Sequence, residues 1–105
     1  MKNKKVYFNG MSGISYPFVF YPLDSDLPEI GAVYIFTREN GGSKVYNPLY
    51  IGQTDVLMSS ISHHDRWDCV VRHFVDSICV HYQDHAAERI EIARDLIGCQ
   101  LPPCN

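Results

Sequence analysis

Short runs of β-favouring apolar residues bounded by turn residues fill the first half of the chain, and apolar residues at helical spacing mark much of the second, so strands are expected ahead of helices. Lys4 to Asn9 and Ile14 to Tyr21 read as two strands around the turn Gly10-Met11-Ser12-Gly13, with Tyr7, Phe8, Phe18, Val19, Phe20 and Tyr21 supplying β-favouring side chains. Pro17 argues for an edge position at the start of the second. Pro22 to Ile30 holds Asp24, Ser25, Asp26 and Pro28, which is turn chemistry, and reads as a surface connection. Ala32 to Arg38 and Leu49 to Gln53 are the clearest strands, and Gly41-Gly42 lies midway between Tyr34 and Tyr50. A hairpin closing on those glycines sets the two tyrosines opposite each other on one face, with Pro48 able to shift the register.

Helical spacing follows. Thr54 or Asp55 offers an N-cap, and Val56, Leu57 and Ile61 give a short apolar side. Trp67, Val70, Val71, Phe74 and Val75 fall on one helical face, which predicts a single buried stripe with Asp65, Asp68, Arg72 and His73 outward. Ser77 to Tyr82 reads as a strand. Asp84 then caps a helix to about Ile97, with Ala86, Ile90, Ala93 and Ile97 as its apolar row, Leu96 beside it, and Gly98 and Pro102-Pro103 as the stop. This order predicts an α+β domain, a small antiparallel sheet flanked by helices, in one unit: residues 1–30 an amino-terminal β-hairpin extension and 31–105 the core.

A chain of 105 residues suits one domain. Its formal charge of −3, with basic residues scattered apart from Lys2, Lys4 and Lys5, argues against a broad phosphate-binding surface. Cys69, Cys79, Cys99 and Cys104 lack CxxC spacing, and no signal-like or membrane-length apolar run is present. The expectation is a cytoplasmic protein with reduced thiols and no membrane partner. Cys69 and Cys79 are expected to fill space at a helix-strand junction. Cys69 with His73, His81 with His85, and Cys99 with Cys104 match no compact zinc signature, so a structural zinc is not expected.

Gly31-Ala32-Val33-Tyr34-Ile35-Phe36, Leu49-Tyr50-Ile51-Gly52-Gln53-Thr54, Asp95-Leu96-Ile97 and Pro102-Pro103-Cys104-Asn105 together resemble the GIY-YIG nuclease superfamily over the core of the chain. The resemblance implies a metal-dependent phosphodiester hydrolase site. Tyr34 and Tyr50 stand at the motif tyrosines, and Gly52 at the final glycine, where a missing side chain allows close approach of backbone and substrate. His64 stands where small relatives carry a histidine that touches phosphate or the second tyrosine. Such a tyrosine acts as a general base only if its pKa falls well below about 10.

The same resemblance puts the family arginine at Ser60 and the metal-binding glutamate at Ala93. Serine offers phosphate a hydrogen bond without arginine's charge or fork, and alanine offers a metal no ligand. Glu91 and Asp95 project about 200° away around the helix. The leading expectation is therefore a catalytically impaired nuclease homologue that retains binding to DNA or to a protein. Its candidate residues are Tyr34, Tyr50 and His64 at the vestigial centre and Gly52, Gln53, Thr54, Ser60, Arg66 and Arg89 for substrate. It carries no metal or cofactor. The alternative is an active DNA endonuclease using Mg²⁺ or Mn²⁺, its missing groups supplied for example by Arg66 and Glu91; a second is a protein-interaction module without nucleic acid. Arg66 and Arg89 also read as surface charges, Arg89 paired with Glu88 or Asp84, and His64 equally as a capping or packing residue.

Overall fold

The computed structural model describes residues 4–40 and 45–105; Lys2 and the Gly41-Gly42 turn lie outside them. The chain folds as an α+β domain with elements β1 (Lys5–Asn9), β2 (Ser15–Pro22), β3 (Ala32–Glu39), β4 (Tyr46–Thr54), α1 (Leu57–Ser62), α2 (Trp67–Arg72), β5 (Ser77–Tyr82) and α3 (Ala86–Gln100). The strands form one antiparallel sheet in the order β1-β2-β5-β3-β4. The amino-terminal hairpin thus extends the core sheet through β5. Pro17 lies in an interior strand, but it precedes the β2–β5 pairing, which starts at Val19, so its missing N–H costs no bond on that side.

Helices cover both faces, which is why β3 reads as a continuous apolar run instead of an alternating one. Ala32, Tyr34 and Phe36 pack with Leu57, Ile61 and Val70 from α1 and α2. Val33 and Ile35 pack with Ala93 and Leu96 of α3. Each fully buried side chain of this kind contributes about 1.5–3 kcal/mol.

The helix expectations need four corrections. In α2 only Val70 is fully buried; the helix stops at Arg72, and Phe74 takes a left-handed φ of 63° that turns its ring out against the Arg38 guanidinium. The α1 N-cap position is Val56, with no side-chain cap, because the Thr54 hydroxyl accepts the Val56 N–H one residue too early. In α3 the N-cap position is His85, not Asp84, and the inward residues are Arg89, Ala93 and Leu96 while Ile90 is exposed. Gly98 does not stop that helix. It lies under Met11, whose Cε would be 2.7 Å from an added Cβ, and the helix ends at left-handed Leu101 before Pro102-Pro103.

The reduced-thiol expectation is also corrected. Cys69 and Cys104 form a disulfide, their Cα atoms 5.8 Å apart and 35 positions apart in sequence. Sequence spacing hid it because the chain returns to α2 only after passing along β4. There the Cys104 N–H donates to the Leu49 carbonyl, and the Asn105 amide exchanges two 2.8 Å hydrogen bonds with the Ile51 backbone, so residues 104–105 satisfy the outer edge of β4. Cys79 is a fully buried free thiol, its pKa pushed up to about 12 by burial, which matches its expected space-filling part. Among the described residues no helix is long and apolar enough to cross a membrane.

Closing a loop of this length restricts the unfolded chain enough to stabilise the fold by about 3–4 kcal/mol. Urea unfolding with and without a reductant should differ by about that amount, and equal midpoints would show that the bridge does not constrain the fold.

Candidate functional site

The hairpin register decides how the motif tyrosines meet. Tyr34 pairs with Gly52 and Phe36 with Tyr50, and the ladder slips beyond Phe36, where Thr37 pairs with Pro48. The expected shared face is therefore present, but the tyrosines are diagonal neighbours, with ring centroids 6.2 Å apart, and not directly opposite. Gly52 meets a packing need at this register. A Cβ there would lie 2.7 Å from Cζ and Oη of Tyr34 and 2.8 Å from Cε2 of Tyr50, so its absence makes room for the two rings themselves.

His64, in the turn between α1 and α2, closes the cluster. Its Nε2 is 2.7 Å from the Tyr34 hydroxyl, its ring stands edge-on to Tyr50 at 4.7 Å and to Phe36 at 5.1 Å, and its side chain is 5% exposed. Trp67 packs on Phe36 from the next turn. The Arg66 backbone N–H donates to His64 Nδ1 at 3.0 Å. A neutral ring accepting at Nδ1 carries its proton on Nε2, so Nε2–H donates to the Tyr34 oxygen and leaves the phenol hydrogen for another acceptor.

Electrostatics reinforce that assignment. Burial raises the Tyr34 pKa far above its ordinary value, with Tyr50 and Asp65 adding to the rise. Tyr50 is raised by burial and Asp65, against the opposing charge of Arg66. Burial lowers the His64 pKa, Asp65 partly restoring it and Arg66 lowering it further. At neutral pH the cluster is thus two protonated phenols and a neutral imidazole, a set of hydrogen-bond donors and acceptors and not a poised base.

Around α1, the position expected for the family arginine is engaged otherwise. Ser60 Oγ and Thr54 Oγ1 share a 2.6 Å hydrogen bond, which joins two candidate substrate residues. Glu29, within the stretch expected to be a surface connection, accepts the Ser59 N–H at 2.7 Å and the Ser59 hydroxyl as well. These bonds, with the Met58 N–H, hold its carboxyl below the ordinary range. The only sequence signal for it is an isolated acid just before the motif strand, in Pro28-Glu29-Ile30-Gly31.

Gln53 and Arg89 fall on the opposite face of the sheet, because Gln53 alternates with Gly52 and sits under α3. Arg89 is no surface charge. It is 5% exposed, its Nε donates to Gln53 Oε1 at 3.0 Å, and its Nη1 donates to the carbonyls of Gln83 and Asp84. Neither acid expected beside it supplies a carboxylate: Glu88 accepts from Gln83 Nε2 instead. Gly31 lies directly against this guanidinium, and a Cβ there would also come 2.7 Å from the Gln83 carbonyl. Ala93 is buried and lines, with Gln53, Ile90, Arg94 and Ile97, an open depression of about 320 Å³. Glu91 faces the amino-terminal hairpin beside Asp95 and Tyr16, away from Ala93. The candidate residues therefore separate into Tyr34, Tyr50, Gly52, His64 and Arg66 on one side, Thr54 and Ser60 at the strand end, and Gln53 with Arg89 on the other.

Two measurements follow from the cluster. Tyr34→Phe removes the acceptor of a buried imidazole N–H and should destabilise the fold by about 1–3 kcal/mol; an unchanged urea midpoint would contradict the bond. The folded state holds His64 neutral, so the unfolded chain takes up the proton first as pH falls. Stability from this residue is then complete above the ordinary value of about 6.5 and lost as pH drops through the lower folded value. His64→Gln should flatten that acid-side loss, and a variant that keeps the wild-type pH slope would assign it elsewhere. As for kinship, no protein-family model, curated protein or solved structure matches the chain.

Proposed function

We propose that this chain is a GIY-YIG-like domain that binds nucleic acid without cutting it, a cytoplasmic homologue of nucleases whose metal-dependent chemistry has lapsed. The observation that carries this reading is the neutrality of the two positions that hydrolysis needs charged. Ser60 is engaged with Thr54, and Ala93 lies buried in a depression whose lining of Gln53, Ile90, Arg94 and Ile97 includes no carboxylate. A phosphodiester cannot be hydrolysed readily without stabilisation of the added negative charge, and a Mg²⁺ site needs at least one fixed carboxylate.

Binding asks less. A phosphate oxygen accepts the Tyr34 phenol hydrogen that His64 leaves free, and Arg66, whose charge acts on both Tyr50 and His64, supplies attraction at the same face. The half-buried Tyr50 ring offers a base an aromatic partner. The same Arg66 is what favours the second reading, an active endonuclease, since its charge reaches Tyr50 and His64; the Glu91 of that reading points elsewhere.

The test compares wild type with a Ser60→Arg, Ala93→Glu variant on supercoiled plasmid and branched DNA with Mg²⁺ or Mn²⁺, alongside DNA and RNA binding at low salt. No cleavage by wild type, with binding weakened severalfold in Arg66→Gln, is expected. Cleavage by wild type that Tyr34→Phe abolishes would establish the endonuclease. Failure to bind DNA or RNA even at low salt would leave a protein-interaction module.

A further inference from the structure

We propose that Cys69, His73 and Cys104 form a redox-gated zinc site, closed as a disulfide under oxidising conditions and opened to hold Zn²⁺ when the bridge is reduced. Among the described residues this is the one group of three potential ligands, all within 4.8 Å of one another. Cys69 and His73 are one helical turn apart, which puts both side chains on one face. Cys104 arrives from a separate segment, fixed by its N–H to Leu49 and by Asn105 on Ile51.

The imidazole already stands at coordination spacing. His73 Nδ1 is 3.9 Å from the Cys69 sulfur and 3.7 Å from that of Cys104. A tetrahedral ion with Zn–S of about 2.3 Å and Zn–N of about 2.0–2.1 Å requires sulfur and nitrogen about 3.6 Å apart and the two sulfurs about 3.8 Å apart. Only the sulfurs must separate, and breaking their bond permits it. Two thiolates and one imidazole suit zinc by softness and number, and the exposed side of His73 leaves the fourth position to water. In the disulfide state Nδ1–H donates to the Cys69 carbonyl at 2.9 Å, so metal binding requires that proton to leave Nδ1 while Nε2 takes one from solvent.

The interconversion balances. A dithiol gives two electrons and two protons to the S–S bond, yielding two thiols and its own cyclic disulfide. Zn²⁺ then displaces the two thiol protons to solvent. In reverse, hydrogen peroxide takes two electrons from the bound thiolates and, with two protons, becomes two waters; the S–S bond forms and Zn²⁺ departs.

The experiment titrates Co²⁺, as a spectroscopic stand-in for zinc, into phosphine-reduced protein without oxygen. One ion per chain should bind, with thiolate charge-transfer and tetrahedral d–d bands, and Zn²⁺ should displace it. Cys69→Ser and Cys104→Ser should abolish the thiolate bands, whereas Cys99→Ser should keep them. His73→Ala leaves the disulfide able to form and should weaken binding at least as much as the about 10–100-fold that loss of an outer-sphere partner costs. One equivalent of peroxide should release the zinc while two thiols disappear. Absence of thiolate bands in reduced wild type, or their survival in Cys69→Ser or at full affinity in His73→Ala, would overturn the site.

Discussion

Burial of β3 on both faces is the constraint on which the rest depends. The strand is hydrogen-bonded to β4 and β5 on its two edges and covered by α1 and α2 on one side and α3 on the other. Consecutive residues are therefore sent to different environments. Tyr34 and Phe36 enter the aromatic cluster with His64, while Val33 and Ile35 meet α3. The strand cannot move to rearrange one side without disturbing the other. Gly52 and Gly31 serve the same constraint from their own positions, one admitting the tyrosine rings and the other the Arg89 guanidinium.

The fold was legible where pattern and environment agree. Among the described residues, five strands and three helices lie in the order that periodicity and turn residues indicate, and β5 spans Ser77–Tyr82 as expected. Boundaries and faces were less legible because tertiary contacts override local preference. The stripe from Trp67 to Val75 looks continuous on a helical wheel, but the chain leaves the helix at Arg72. Arg89 looks like a surface residue by type and is buried because Gln53 and two carbonyls accept from it. No local pattern in the sequence joins Cys69 to Cys104, since the pairing depends on the path of residues 101–105 along β4.

Much the same holds for the candidate site. Tyr34, Tyr50, Gly52 and His64 meet in space. Gln53 and Arg89 do not join them, because strand alternation puts Gln53 on the other face. Glu29 was scarcely legible: its role comes from docking on the α1 backbone at Ser59, a contact across 30 positions. The buried Arg89 guanidinium has its hydrogen bonds met by uncharged acceptors, and the aromatic cluster is held by a neutral imidazole with the Asp65 carboxylate at its margin. That arrangement suits recognition through fixed donors more than proton transfer.

The protonation state of the cluster is therefore the central point, and nitrogen-15 NMR of His64 between pH 5 and pH 8 (about the range over which an ordinary histidine titrates) measures it directly. A neutral ring with its proton on Nε2 at neutral pH and a midpoint below the ordinary value of about 6.5 are expected. An imidazolium at neutral pH, or a neutral ring protonated on Nδ1, would contradict it, because Tyr34 would then be poised to lose its proton or would have to give its hydroxyl hydrogen to His64.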